Sequence, residues 1–148
     1  MDRKPRVLFL CTHNAARSQM AEGILRDLSR GAVEVFSAGT EPAGVHPLAI
    51  RALRDMGIDI SGQRSKHVDE FANQTFDFVA TLCDSARELC PVFPSDPEMI
   101  HWSFPDPGAV VGTEQERLQA FKQTARELAT RLRPFLALVE RGVRHSPA

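Results

Sequence analysis

The sequence lacks the features that commit a chain to a large charged partner. Eighteen lysines and arginines stand against nineteen aspartates and glutamates, a net charge of −1. That balance excludes a broad basic face for nucleic acid or for an anionic membrane surface. No apolar run is long enough to span a bilayer. Basic residues precede an apolar run at the start, "MDRKPRVLFLCTHN", as in a secretory leader. That run is only about five residues against the roughly 7–15 a leader needs, and no small-residue cleavage site follows. A cytoplasmic protein is expected. Only three cysteines are present; in such a chain they are more often catalytic, redox-active or metal-binding than structural disulfides. Repeats, low-complexity blocks and linkers are missing. The 148 residues suit one domain, 1–148, with a proper core. No exposed heptad seam calls for a partner copy, so a monomer is expected.

What is present alternates. Val7–Leu10 has no polar member and suits a strand buried on both faces. Met20, Ile24, Leu25 and Leu28 follow at helical spacing, with Gly31 as a stop. Val33–Phe36 reads as a second strand. Pro47 suits the first turn of a helix carrying Leu48, Ala49, Leu53 and Met56. Phe76–Leu82 and Met99–Phe104 read as the third and fourth strands. Thr113 and Glu116 form a capping box, and Leu118, Phe121, Ala125, Leu128, Leu132, Leu136 and Val139 continue at helical steps. Pro134 should kink or restart that helix, and the tail "RGVRHSPA" should fray. The pattern means α/β with a parallel sheet.

Ligands in such sheets bind beyond the carboxyl ends of the strands. Cys11 ends the first strand, Cys83 ends the third, and Asp106 follows the fourth, so the three should converge on one edge. The loop after Cys11 leads into a helix N-terminus, with backbone N–H groups and the positive end of a dipole. Both stabilise a thiolate, the reactive form of cysteine, and both attract a tetrahedral oxyanion. Arg17 adds a planar fork able to grip two oxygens. Ser18 can donate a hydrogen bond to the sulfur. Cys-x5-Arg-Ser therefore makes an anion cradle, Thr12, His13, Asn14, Ala15, Ala16, Arg17 and Ser18, with a nucleophile at its floor. Cys83 and Cys90 stand seven residues apart, a spacing that fits neither common zinc pattern. Seven residues are close to two helical turns, so both thiols should lie on one face of a short helix. No metal and no cofactor are expected.

"CTHNAARS" resembles the active-site loop of the low-molecular-weight protein tyrosine phosphatase fold, and Asp106–Pro107 resembles its general-acid loop. The likeness covers nearly the whole chain and implies a central four-stranded parallel sheet flanked by helices. "SQMAEG", "SAGTEP", "TLCDSARELCP" and "HWSFPDP" are similar, in order and separation, to thioredoxin-coupled arsenate reductases. That resemblance implies a route. Cys11 attacks arsenate, Arg17 and the loop hold its oxygens, and Asp106 acts as general acid. Cys83 then attacks Cys11, and Cys90 attacks Cys83. Thioredoxin resets the pair; glutaredoxin or a low-molecular-weight thiol is the alternative reductant.

Departures from the family are informative. His13 stands where many members have glycine and reads as a solvent-facing loop residue. Some members hold a potassium ion with an Asn, a Glu, a Ser and an Asp. Asn14, Glu22 and Ser37 match the first three, but Lys66 takes the fourth place and would repel a cation, so no potassium site is expected. Asn14 and Ser37 should brace the loop, while Gln63, Arg64 and Lys66 should form a solvated polar loop. The chain has no tyrosine, and Gly108 follows the Asp-Pro pair where tyrosine phosphatases carry an aromatic. A mouth without aromatics suits a bare inorganic anion better than a phosphotyrosine. The alternatives are a phosphatase acting on phosphomonoesters and a non-catalytic redox sensor built on Cys83 and Cys90.

Overall fold

Four strands pair in parallel in the order β2-β1-β3-β4, a topology seen in a computed structural model that describes residues 3–94 and 96–144. The strands are β1 (Arg6–Cys11), β2 (Glu34–Gly39), β3 (Phe78–Thr81) and β4 (Glu98–His101). The helices are α1 (Arg17–Ser29), α2 (Pro47–Arg54), α3 (Asp84–Glu88) and α4 (Glu114–Arg144). Short 3₁₀ turns occupy Val68–Phe71 and Pro107–Ala109. The expected tail falls partly outside the described residues, which stop at 144.

Val7 through Cys11 are all buried, because both faces of β1 are covered. In the pairing register Val7 lies beside Phe78 and Leu8 beside Phe36, so alternate residues feed opposite faces. On one face Phe9, Phe78 and Trp102 surround Phe135 of α4, with ring centroids 5.1–6.3 Å apart. On the other, Phe36, Phe71, Phe76 and Phe93 form a second edge-to-face group. The chain runs from β1 to β2 on one side, then crosses to β3 on the other. The crevice between these departures opens at the carboxyl end of β1, at Cys11.

Several boundaries differ from the sequence reading. β2 starts at Glu34 and runs on to Gly39, because its small last residues pack under the loop that follows β1. β3 begins at Phe78 rather than Phe76. β4 ends at His101, and Trp102–Phe104 bends away to carry the next loop over the sheet edge. The helix between the cysteines is only Asp84–Glu88; Cys83 is its extended N-cap, and Cys90 lies beyond its end. No side chain caps its N-terminus. The Asp84 carboxylate instead accepts from His101 Nε2 at 3.0 Å and Ser103 Oγ at 3.1 Å, which holds its pKa below the ordinary value. The Thr113–Glu116 capping box forms reciprocally. Helix α4 does not restart at Pro134. Pro134 and Thr130, whose carbonyl loses its partner, both face solvent, and buried Leu132, Phe135 and Val139 hold the helix to the sheet.

Candidate active site

Helix α1 begins without a cap. Ala16 occupies the N-cap with no side-chain bond, and the first turn has no acidic residue. Its leading N–H groups are left for something else. The loop before it is arranged to match. The carbonyls of Thr12, His13 and Ala15 accept from Glu41, Ala43 and His46 at 2.8, 3.0 and 2.9 Å. In a trans peptide the next N–H points the opposite way. The amides of His13, Asn14 and Ala16 thus face away from that segment, and none has a partner among the described residues. Such a ring of unpaired donors is a seat for an anion.

Asn14 locks this loop. It adopts the left-handed conformation at φ 48°, which asparagine tolerates, and is fully buried. Its Nδ2 donates to Ser18 Oγ at 2.8 Å and to Ser37 Oγ at 3.0 Å. Its Oδ1 accepts from the Lys66 amide at 2.8 Å and Gln19 Nε2 at 2.9 Å. The side-chain amide is fully satisfied. Because Ser18 Oγ already accepts from Asn14, its own hydrogen is free for Cys11 Sγ, 2.8 Å away. Sulfur stabilisation is thus inherited from the brace.

The cavity beside Cys11 has a volume of about 360 Å³ and is lined by Cys11, Arg17, Asp106, His13, Gly108 and residues 43–47 among others. Arg17 is buried, and its Nη1 donates to the Phe104 carbonyl at 3.0 Å. That bond fastens the loop leading to Asp106 to the loop that follows β1. A cation in the first turn opposes the helix dipole, a local cost that marks a functional position. Asp106 Oδ1 accepts from the Gly108 amide at 2.9 Å, which turns the carboxyl at the head of a 3₁₀ turn. His13 is exposed at the rim. No tyrosine, tryptophan or phenylalanine lines the cavity.

Cys83 stands beside the cradle rather than in the cavity: Thr12 Oγ1 and Cys83 Sγ are 3.2 Å apart. Cys90 is half-buried, and burial pushes its thiol up. Its neighbours Leu89 and Val92 are exposed. All three cysteines are free.

Lys66 departs from its expected solvated setting. It is buried, as is Glu22, and its Nζ lies 3.8 Å from Glu22 Oε1 while donating to the Arg64 carbonyl at 2.6 Å. Burial lowers the lysine pKa and Glu22 opposes that shift. Glu22 also accepts from Ser37 Oγ at 2.6 Å and pairs with Arg26. An ammonium thus stands beside a hydrogen-bonded chain from Asn14 through Ser37 to Glu22, in which Asn14 and Ser37 brace the loop. Gln63 is not free either, since its Nε2 donates to Gln19 Oε1 at 2.7 Å. Arg64 alone stays exposed, paired with Glu70.

Two contributors were missed in the sequence. A Cβ on Gly39 would lie 2.5 Å from the Thr12 carbonyl and 2.9 Å from the Asn14 amide, so only glycine lets β2 support the loop. His46 joins the cavity wall from the start of α2. Neither has a local signature; both matter through approaches made far along the chain. Among the described residues no cluster of three or more His, Cys, Asp or Glu is placed to hold a metal, and no helix is long and apolar enough to cross a membrane.

Comparison with known proteins agrees with this geometry. The low molecular weight phosphotyrosine protein phosphatase family matches residues 6–145. An arsenate reductase of Halalkalibacterium halodurans is 42% identical over 129 residues, 87% of this chain and 93% of that protein. A solved arsenate reductase in its phosphate-binding state superposes with a TM-score of 0.79 at 32% identity, covering 91% of this chain and 98% of that one. A thioredoxin-dependent arsenate reductase of Corynebacterium glutamicum gives 0.63 at 32% identity, covering 87% of this chain and 62% of that one. With a phosphatase-type cradle, a parallel sheet and relatives of this kind, the chain belongs to the low molecular weight phosphotyrosine protein phosphatase family, among its arsenate reductases.

Proposed function

We propose that this protein reduces arsenate to arsenite by a thiol relay reset by thioredoxin. The observation that carries the reading is one assembly: Cys11 in one cavity with Arg17 and Asp106, below the unpaired amides of its loop, and Cys83 within hydrogen-bond reach of Thr12 of that loop. The Cys11 thiolate attacks arsenic(V) while the His13, Asn14 and Ala16 amides and Arg17 hold the oxygens. Asp106 gives its proton to the departing oxygen, which leaves as water. Cys83 attacks Cys11 Sγ, and the S–As bonding pair goes to arsenic. Arsenic falls from +5 to +3, arsenite leaves, and a Cys11–Cys83 disulfide remains. Cys90 attacks Cys83, releasing Cys11 as thiolate. The Cys83–Cys90 disulfide accepts two electrons from the thioredoxin dithiol.

The same Cys11, Arg17 and Asp106 suffice to hydrolyse a phosphomonoester with water as second nucleophile, so a weak phosphatase activity accompanies the main one. A sensor that only reports oxidation would leave the cradle without a task. Arsenate- and thioredoxin-dependent NADPH consumption, through thioredoxin reductase, tests the reading. Cys11→Ser abolishes both reduction and phosphatase activity. Cys83→Ser and Cys90→Ser abolish multiple-turnover reduction and spare hydrolysis. Full turnover by Cys90→Ser with thioredoxin as the sole thiol would overturn the relay.

A further inference from the structure

Nothing in the relay uses His46, yet its ring lines the cavity that holds Cys11, Arg17 and Asp106. The ring is fixed in place. As N-cap of α2, its Nδ1 accepts the Leu48 amide at 3.0 Å. The ring packs on Phe121, centroids 4.6 Å apart. Its backbone amide donates to the Ala15 carbonyl at 2.9 Å, which ties it to the anion loop. A nitrogen that accepts a hydrogen bond carries no proton, so in the neutral ring the proton sits on Nε2. Nε2 has no hydrogen-bond partner among the described residues, and it is not sealed in the core.

We propose that His46 is a substrate-binding residue whose Nε2–H donates to an oxygen of the tetrahedral anion seated over Cys11. The identity of the cap supports this. Serine, asparagine or aspartate usually caps a helix, and any of them would satisfy Leu48 without offering a second ring nitrogen. A histidine does both tasks with its two nitrogens. Burial, then the nearby Arg117 of α4, lower its pKa, while Asp106 of the acid loop opposes them. The ring therefore stays neutral at physiological pH. Protonation of Nδ1 would forfeit the Leu48 amide, so the cap and the donor favour the same tautomer. A neutral donor adds direction to anion binding without another full charge in the site.

This inference rests on the oxyanion reading of the cavity, and the test separates the two. Inorganic phosphate is the probe, titrated into the reduced full chain by NMR with ¹⁵N-labelled histidine. Phosphate binding to the wild-type protein, lost in Arg17→Ala, supports the cavity reading; no binding to the wild type refutes that reading and this one together. Given binding, the wild-type Nε2 resonance shifts on saturation while Nδ1 keeps its acceptor signature. In His46→Ser, which keeps a cap but loses the contact with Phe121, Tm falls modestly while the protein stays folded, and phosphate affinity falls about 5- to 10-fold, the effect of losing one hydrogen bond. The KM for arsenate rises by a similar factor with little change in kcat. Wild-type phosphate affinity in a folded His46→Ser protein overturns the proposal. If that variant does not fold, the wild-type spectrum decides: an Nε2 resonance indifferent to phosphate overturns it equally.

Discussion

The hydroxyl beside Cys11 Sγ is fixed by a side chain that does not itself touch the sulfur. Ser18 can give its hydrogen to the sulfur only because Asn14 fills its acceptor site, and Asn14 is held in turn by Ser37, Lys66 and Gln19. This arrangement predicts a difference between two similar substitutions. Ser18→Ala and Ser37→Ala each leave one Asn14 N–H unpaired, costing about 1–3 kcal/mol of stability by thermal or urea unfolding. Only Ser18→Ala also removes the bond to sulfur, so its Cys11 alkylation by iodoacetamide at neutral pH slows roughly tenfold, as a charge-assisted bond implies, while Ser37→Ala keeps its rate. Equal alkylation rates would remove Ser18 from the activation of Cys11. At this scale the sequence is legible where a role is local. Cys11, Arg17 and Ser18 lie within one loop, and Asp106 follows a strand. Gly39, His46 and the burial of Lys66 depend on which distant segments touch the loop, and no spacing encodes that.

The element that must move is the short helix between two thiols. Unbroken helix over seven residues would part its ends by about 10.5 Å, and a disulfide requires Cα atoms within about 7 Å. Helix α3 is only five residues long, and neither cysteine is inside it. Few bonds need break: the Arg87 amide to the Cys83 carbonyl at 3.2 Å and the Leu89 amide to Ser85 at 3.1 Å hold it. Formation of the Cys83–Cys90 disulfide should therefore release amide protection across residues 84–94 while the four strands keep theirs. Hydrogen exchange on reduced and oxidised protein reads this directly; unchanged protection with the disulfide confirmed by mass spectrometry would refute the rearrangement. The same movement frees Cys90 from the burial that disfavours its thiolate. The sequence placed both thiols on one helix because a heptad spacing looks helical. Proline at positions 91 and 94 and the pull of His101 and Ser103 on Asp84 decided otherwise.

Over the whole molecule, chemistry and anchorage occupy opposite ends of the sheet. The thiols gather at the carboxyl ends of the strands; at the amino ends Asp77 accepts from both terminal nitrogens of Arg3 at 2.7 and 2.6 Å and from the Arg6 amide at 2.8 Å. Burial pushes the Asp77 carboxyl up, but the Arg3 guanidinium and the Arg6 amide outweigh it and hold it below its ordinary value. A carboxylate so lowered stabilises the fold above its unfolded pKa of about 3.9, and that stability is lost as pH falls through the folded value. Asp77→Asn should cost about 1–2 kcal/mol at pH 7, with the difference from wild type closing below pH ~4 and activity per folded molecule unchanged. A gap that persists in acid would locate the effect in packing instead. The alternation of strand and helix made a parallel sheet readable in advance and the family resemblance implied its four strands, but the order β2-β1-β3-β4 is seen only in the structure. The passage of α4 through Pro134 was not, because only the finished fold shows which face of that helix meets water. At the catalytic end, Lys66 gives the molecule a property of a different kind. A dissociable ion occupies its site according to its concentration outside, whereas an ammonium on a side chain has a local concentration set by its tether. Charge balance beside Glu22 therefore does not depend on which monovalent cation surrounds the protein: exchanging KCl for NaCl at equal ionic strength leaves Tm and the KM for arsenate where they were.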